Sequence, residues 1–427
     1  MTSPLPFSKR TPDLAQSMVS DRPPVTSLLD LDFYKVSMGQ FIFLNYPDIV
    51  VRFSLINRGP ERLGLIIPER KLHEALDCLR SLTVDFSEES YLRGIDNYGA
   101  RMLGEPYLKF FRKYQVPEYH LEYLPDGRID LRFEAPWALV TYCELYIMRI
   151  VNELYFRELM RMMSPLERDL TIAEGKNRLA AKIRFFNENS DIFFANFGCR
   201  RCFGYDWALY VDWALMNGIE TPGQFRGTSS VFIAKELGLE PIGTNAHELQ
   251  MVLAAIAETD EELADVPHKV LDQWYDLYGS AQAVVLPDTF GSRYMMRTMS
   301  QKNAERYRGI RLDSGDPAKE GDEWIEFWKN RGIDHVAAKK FLIPSDDLKV
   351  PTTVKPLHNH FKGRVLVSDG IGTNLTNDLG LTPLKIVAKV THANGRPAIK
   401  LSNVPGKISG PPELVARYKR VFGYDQD

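Results

Sequence analysis

Tyr307-Arg308-Gly309-Ile310-Arg311-Leu312-Asp313-Ser314-Gly315-Asp316-Pro317 decides how this chain is read. A short apolar run ends in one cation and two carboxylates, and Asp316-Pro317 then has the form of a helix N-cap followed by a first-turn proline. A strand that gives way to a polar loop and then to a helix is a βα unit. Capping accounts for Asp316 alone and leaves Arg311 and Asp313 free for other chemistry. An arginine can grip a carboxylate or phosphate through two hydrogen bonds, and an aspartate can hold ribose hydroxyls or Mg²⁺.

The same pattern recurs on both sides of this stretch. Polar, mostly glycine-containing clusters follow short apolar runs at Asn196-Phe197-Gly198-Cys199-Arg200-Arg201, Gly227-Thr228-Ser229-Ser230, Gly243-Thr244-Asn245-Ala246-His247-Glu248, Pro287-Asp288-Thr289, Ser345-Asp346-Asp347 and Ser368-Asp369-Gly370-Ile371-Gly372-Thr373. Intervals of roughly 20 to 40 residues are what a βα unit consumes, and in an α/β barrel the loops at the C-terminal strand ends share one mouth. The fold expected is α/β, an irregular TIM-like barrel over residues 137–377. Beside it the sequence predicts a discontinuous α+β domain, residues 26–136 completed by 378–427, preceded by a flexible tail over 1–25.

In that flanking part, helices are expected at Lys35 to Tyr46 and Lys71 to Leu82, with alternating strands at Val50 to Leu55 and Arg128 to Phe133. Thr141 to Met163 reads as one long helix. Its Arg149, Glu153 and Arg157, four apart, suggest ion pairs along an exposed face. After Asn377 two strands, Leu384 to Thr391 and Pro397 to Leu401, are joined at Asn394-Gly395, a strong hairpin signal.

The 427 residues carry 53 basic and 56 acidic side chains, a net charge of -3. That balance lacks the basic excess of a nucleic-acid binder, so an anionic substrate must be met locally. An apolar share of 44% gives material for a large core. No run is long enough for a membrane span, the start lacks a signal-peptide core, and four cysteines are too few for a disulfide scaffold, so a cytoplasmic protein is expected.

His247 follows a strand and heads an apolar helix. As a phosphoryl acceptor it would need a neutral nitrogen and a carboxylate partner, which Glu248 or Asp288 could supply. The glycines of 368–373 let backbone N–H groups approach a phosphate. Cys199-Arg200-Arg201-Cys202 has no second ligand pair for zinc, and His358-Asn359-His360 reads as a solvated loop. There is no P-loop motif.

Taken in order, these clusters, together with Leu28-Leu29-Asp30-Leu31-Asp32-Phe33-Tyr34-Lys35, Lys400-Leu401-Ser402 and Pro405-Gly406-Lys407, resemble the motifs of the nicotinate phosphoribosyltransferase family. The resemblance implies conversion of nicotinate and phosphoribosyl pyrophosphate to nicotinate mononucleotide and pyrophosphate, the first step of NAD salvage from nicotinate, with ATP and Mg²⁺ as cofactors. It implies that Tyr34 and Phe197 stack on the pyridine ring. Arg200, Thr244 and Arg311 would contact the nicotinate carboxylate or the ribose phosphates, and Asp313 the ribose hydroxyls. Gly372 and Thr373 would bind the 5-phosphate, Asp288 would join the catalytic group, and His247 would be phosphorylated transiently by ATP. It further implies a homodimer, with the counterpart of Tyr34 often contributed across the interface. Competing readings are a transferase for nicotinamide, a non-catalytic paralogue that binds phosphoribosyl pyrophosphate or a pyridine, and a phosphosugar aldolase or isomerase on a barrel.

Overall fold

The structure, a computed structural model, describes residues 13–97 and 99–424. Its thirteen strands are β1 (Val50–Asn57), β2 (Asp96–Asn97), β3 (Ala100–Arg101), β4 (Tyr119–Tyr123), β5 (Ile129–Pro136), β6 (Phe193–Asn196), β7 (Phe225–Thr228), β8 (Val284–Val285), β9 (Gly309–Leu312), β10 (Phe341–Pro344), β11 (Leu366–Ile371), β12 (Ile386–Ala393) and β13 (Arg396–Pro397). They form a five-stranded antiparallel sheet, a six-stranded parallel sheet and the small β2–β3 pair.

Alternation drives the first sheet. Val51, Phe53 and Leu55 of β1 are buried while their neighbours are not, so one face covers the core. The order is β13-β12-β1-β5-β4, with Phe53 opposite Phe133 and Leu55 opposite Ala388. The C-terminal strand β12 therefore lies directly beside β1. Asn394 and Gly395, both at positive φ, make the turn to β13, as an Asn-Gly hairpin requires. β13 is shorter than the Pro397 to Leu401 strand expected from sequence.

The parallel sheet has the order β7-β6-β11-β10-β9-β8. All four residues of β9 are buried, as in strands covered on both faces. Six of the seven polar clusters sit at the C-terminal ends of its strands. The seventh, Gly243 to Glu248, has no ladder of its own. The chain before it touches β7 through one parallel bridge, Thr228 to Pro241, and an Ile242 N–H to Thr228 C=O bond of 2.8 Å. The ladder thus gives a mixed α/β fold with an irregular seam between β7 and β8. Gly227 makes the seam possible, because its φ of 130° is open to glycine and a Cβ there would strike the Glu240 carbonyl oxygen.

Two expectations are corrected. Arg149, Glu153 and Arg157, on the helix Cys143–Met162, are buried rather than on an exposed face. Arg149 pairs with Asp30 at 3.0 Å and Glu153 at 3.4 Å, Arg157 pairs with Glu153, and Arg149 also donates to Cys202 Sγ at 2.8 Å. Four-residue spacing aligns charges on one helix stripe whether water or protein covers it. Removing one member of a buried network strands the rest, at about 3–5 kcal/mol. Arg149→Met is accordingly expected to lower unfolding stability by about that amount, read as a shift in the urea midpoint.

The second correction concerns the tail. Residues 1–12 lie outside the described residues, but Leu14, Ala15, Met18 and Val25 are buried. Arg157 and Arg161 donate to carbonyls of residues 19–22, and Arg22 pairs with Asp206. Few apolar residues in a Ser/Pro-rich stretch hide the fact that Leu14, Ala15, Met18 and Val25 pack.

Candidate active site

The loops at the C-terminal ends of the parallel strands open into one cavity of about 570 Å³. Its wall includes Arg200, Arg311, Asp313, Ser345, Gly372 and Thr373 from those strand ends, His247 from the irregular segment, and Lys385, Lys389, Lys400 and Lys407 from the C-terminal segment. A narrow recess opens beside it, lined by Asp32, Tyr34, Phe197, Ser229, Thr244, Arg200 and Arg311. Arg200 and Arg311 border both compartments.

His247 stands at the head of the helix Glu248–Ile256. Its Nδ1 is 3.0 Å from Thr289 Oγ1, and its Nε2 is 2.7 Å from Lys400 Nζ, 3.1 Å from Asp313 Oδ2 and 3.8 Å from Asp288 Oδ1. An ammonium can only donate, so the 2.7 Å Lys400 contact, closer than the 3.1 Å approach of Asp313 Oδ2, favours the Nε2 lone pair as acceptor and the ring proton on Nδ1, facing Thr289. Burial, and then Lys400, lower the imidazole pKa against the pull of the two carboxylates. The ring is therefore neutral at pH 7 and keeps a lone pair on Nε2. Glu248 is not its partner. It is committed to Lys35, Trp137 Nε1 at 2.6 Å and Thr141 Oγ1 at 2.8 Å.

Asp313 Oδ1 accepts from Arg311 Nη2 at 2.7 Å and Ser345 Oγ at 2.8 Å. Arg311 also donates to Ser345 Oγ at 2.9 Å and to the Asn245 carbonyl at 3.1 Å. Burial opposes the charge on Asp313, but Arg311, with Lys400 beside it, outweighs burial and holds the carboxyl well below its usual range. Asp288 does not line the cavity. It lies fully buried behind the histidine, accepts from Ser314 Oγ at 2.6 Å and is 3.6 Å from Lys400. Burial opposes its charge, while Lys400 and the Ser314 hydrogen bond favour it, and this carboxyl too is lowered.

In the recess, Arg200 Nη1 donates to Tyr34 Oη at 3.0 Å, and Tyr34 Oη donates to Glu144 at 3.3 Å. Tyr34 thus lines the recess of its own chain. Ser229 Oγ hydrogen-bonds Asp32, whose carboxyl burial raises despite Arg200. The Phe197 ring lies on Gly370, where any Cβ would collide with it, and the Phe197 N–H bonds the Ile371 carbonyl at 2.8 Å. Glycine at 370 is therefore needed for the ring to reach the recess. Gly372 and Thr373 begin the short helix Thr373–Thr376, held from below by Lys182 on the Asn374 carbonyl.

Cations crowd the cavity. Burial pushes Lys389 down to about 8, helped by Arg58 and Lys400, and pushes Arg201 down to about 10, helped by Arg200. An incoming anion would relieve both. The structure thus gathers every candidate residue read from the sequence at or just behind one mouth. Sequence reasoning missed Lys400 as a site residue, along with Thr289, Ser345 and Glu144. The Lys400-Leu401-Ser402 motif was the available signal for the first. Cys199 and Cys202 are buried free thiols with raised pKa values. His358 and His360 lie on the helix Val354–Phe361, not in a loop, and pair with Asp191 and Asp322.

Two family models match the chain: "Nicotinate phosphoribosyltransferase (NAPRTase) family" over residues 192–426, and the N-terminal domain of the same family over residues 29–152. Among solved structures, nicotinate phosphoribosyltransferase from Vibrio cholerae is similar at 28% identity and a TM-score of 0.84, covering 95% of each chain. The enzyme of that name from Porphyromonas gingivalis is similar at 25% identity and a TM-score of 0.80, covering 93% of this chain and 100% of its own.

Proposed function

This chain belongs to the nicotinate phosphoribosyltransferase family, and from that premise we propose that it makes nicotinate mononucleotide and pyrophosphate from nicotinate and phosphoribosyl pyrophosphate, coupled to ATP hydrolysis through a transient phosphate on His247. The observation that carries this reading is the pair of guanidiniums, Arg200 and Arg311, bordering both the aromatic recess and the cationic cavity. A pyridine carboxylate between Tyr34 and Phe197 meets a cation, and the phosphates beyond it meet several more.

In the transfer, the pyridine nitrogen forms a bond to ribose C1 as the bond from C1 to the pyrophosphate oxygen breaks, and pyrophosphate leaves with the electron pair. Positive charge develops on the sugar and negative charge on the leaving group. Asp313, pre-ionised, faces the first, and Arg311, Lys400 and Lys407 face the second. Gly372 and Thr373 would take the 5-phosphate, and Thr244 would help seat the base.

In the coupling step, the His247 Nε2 lone pair bonds to the terminal phosphorus of ATP and ADP leaves with the electrons of the broken P–O bond. Water later cleaves the N–P bond, giving phosphate. Asp313 and Asp288 suit Mg²⁺, since Asp288 Oδ1 has no hydrogen-bond partner among the described residues and the ion seeks carboxylate oxygen. Bound there, Mg²⁺ would neutralise phosphate charge.

Asp32 supports a second reading, because a carboxyl acceptor in the recess could hold the amide of nicotinamide. Pyrophosphate release from phosphoribosyl pyrophosphate, with each base and with or without ATP and Mg²⁺, tests both. Nicotinate-dependent release raised by ATP is expected, and higher turnover on nicotinamide would overturn the choice of base. On the same reading, residues 26–136 with 378–427 form one unit beside 137–377, and the enzyme is a cytoplasmic homodimer. No helix among the described residues is long and apolar enough to cross a membrane.

A further inference from the structure

Lys400 reaches His247 from a segment 153 residues away in the chain, and something must hold that segment in place. The described contacts identify the clamp. The Leu401 and Ser402 N–H groups both bond the Thr289 carbonyl, at 3.0 and 3.2 Å. Ser402 takes a φ of 64°, an uncommon conformation outside glycine. Next along the chain, Asn403 accepts from the Ser292 N–H at 2.9 Å and donates through Nδ2 to Ser292 Oγ at 2.8 Å and Glu320 Oε2 at 3.2 Å. Its own N–H lies 3.4 Å from Ser314 Oγ, the hydroxyl that holds Asp288. Ser292 Oγ completes the set by donating to Glu320 Oε1.

We propose that Asn403 and Glu320 are positioning residues for the phosphoryl step. They form a clip that locks the Lys400 segment onto the loops carrying Thr289 and Asp288, so that Lys400 meets the His247 lone pair at the right distance. Glu320 lies on the first turn of the helix Pro317–Asn330, is buried, and does not line the cavity. It acts through Asn403 and Ser292 and touches no substrate. The clip fixes a cation at the point where a phosphoryl group must arrive, and positions of this kind lose rate when displaced by about an ångström. Burial pushes the Glu320 carboxyl up to about 8, which makes the uncharged Glu320→Gln the conservative variant.

The inference rests on the function proposed above, so the test has two arms. In the first, ATP stimulation of nicotinate-dependent pyrophosphate release is measured for wild type, Asn403→Ala, Glu320→Ala, Glu320→Gln and the double alanine variant. Asn403→Ala and Glu320→Ala are expected to cut the stimulation at least fivefold through kcat, with KM for nicotinate changed less than twofold. Glu320→Gln should retain more than half of it. The double variant should fall no further than Asn403→Ala, because coupled residues are non-additive.

The second arm reads the clip without activity. Hydrogen exchange at Ser292, Leu401 and Ser402 should quicken at least tenfold in Asn403→Ala, with β12 unchanged. Exchange unaltered at those amides, faster exchange throughout the chain, or intact ATP stimulation would each overturn the clip. A wild type that releases no pyrophosphate with nicotinate would fell the functional reading alone, and the exchange arm would then decide this one.

Discussion

His247→Ala is expected to abolish ATP hydrolysis and ATP stimulation, by on the order of 10³-fold or more, while ATP-independent transfer stays measurable. The asymmetry follows from what the ring does. Nε2 is the acceptor of the Lys400 N–H and keeps an unprotonated lone pair, because burial and Lys400 together lower the imidazole pKa. If His247 is the nucleophile as proposed, no neighbouring side chain would replace it, since Lys400 is a donor and Asp313 and Asp288 are engaged with cations and hydroxyls. On the proposed mechanism ribosyl transfer asks less of His247, because its charges would be met by Asp313, Arg311 and the lysines. ATP turnover and pyrophosphate release, followed in the same reaction, check the claim. Undiminished ATP hydrolysis in the variant would remove His247 from the phosphoryl step.

Asp313→Asn should behave differently, with both activities falling by about 10² or more, equivalent to about 2.7 kcal/mol of transition-state stabilisation. On the proposed mechanism Asp313 would bridge two functions, since it takes Arg311 and Ser345 on one oxygen and faces His247 with the other. An asparagine can still accept from Arg311 and Ser345. Its amide then points N–H groups at Nε2, competing for the lone pair that ATP requires, and its lost charge no longer answers the developing positive sugar. The diagnostic is the joint loss, in contrast to the split in His247→Ala. A variant that lost ATP stimulation but transferred ribose at the wild-type rate would show that Asp313 serves only the histidine.

Much of the architecture was legible because it is written locally. A β strand, a glycine-containing polar turn and a capped helix occupy neighbouring residues, so the run from Tyr307 to Pro317 could be read without knowing what lies beside it. Asn394-Gly395 likewise encodes its own turn. What escaped the sequence is what depends on distant partners. The Arg149–Glu153–Arg157 stripe has the same spacing on a wet or a dry face, and its burial is decided by Asp30 and Cys202, 119 and 53 residues from Arg149. The seam at Gly243 to Glu248 looked like any other strand-and-loop unit, yet its chain pairs with β7 through a single bridge. For His247 the sequence offered Glu248 and Asp288 as partners on grounds of proximity and order. The neighbour in sequence turned away to Lys35, and the closest carboxylate came from just past β9, one strand beyond Asp288, on Asp313.

The pairing of β12 with β1 also sets a timetable for the newborn chain. The Val50 N–H is capped by Asn394, 344 residues later. At about 5–20 residues per second of synthesis, β1 waits roughly 17 to 70 s for its neighbour. During that interval the edge of β1 that β12 will cover is open to pairing with other chains. Lys400 emerges later still. A ribosome that terminates before residue 386 therefore releases a polypeptide with an unsealed sheet and an incomplete mouth, whereas one that finishes closes both within a short stretch of elongation.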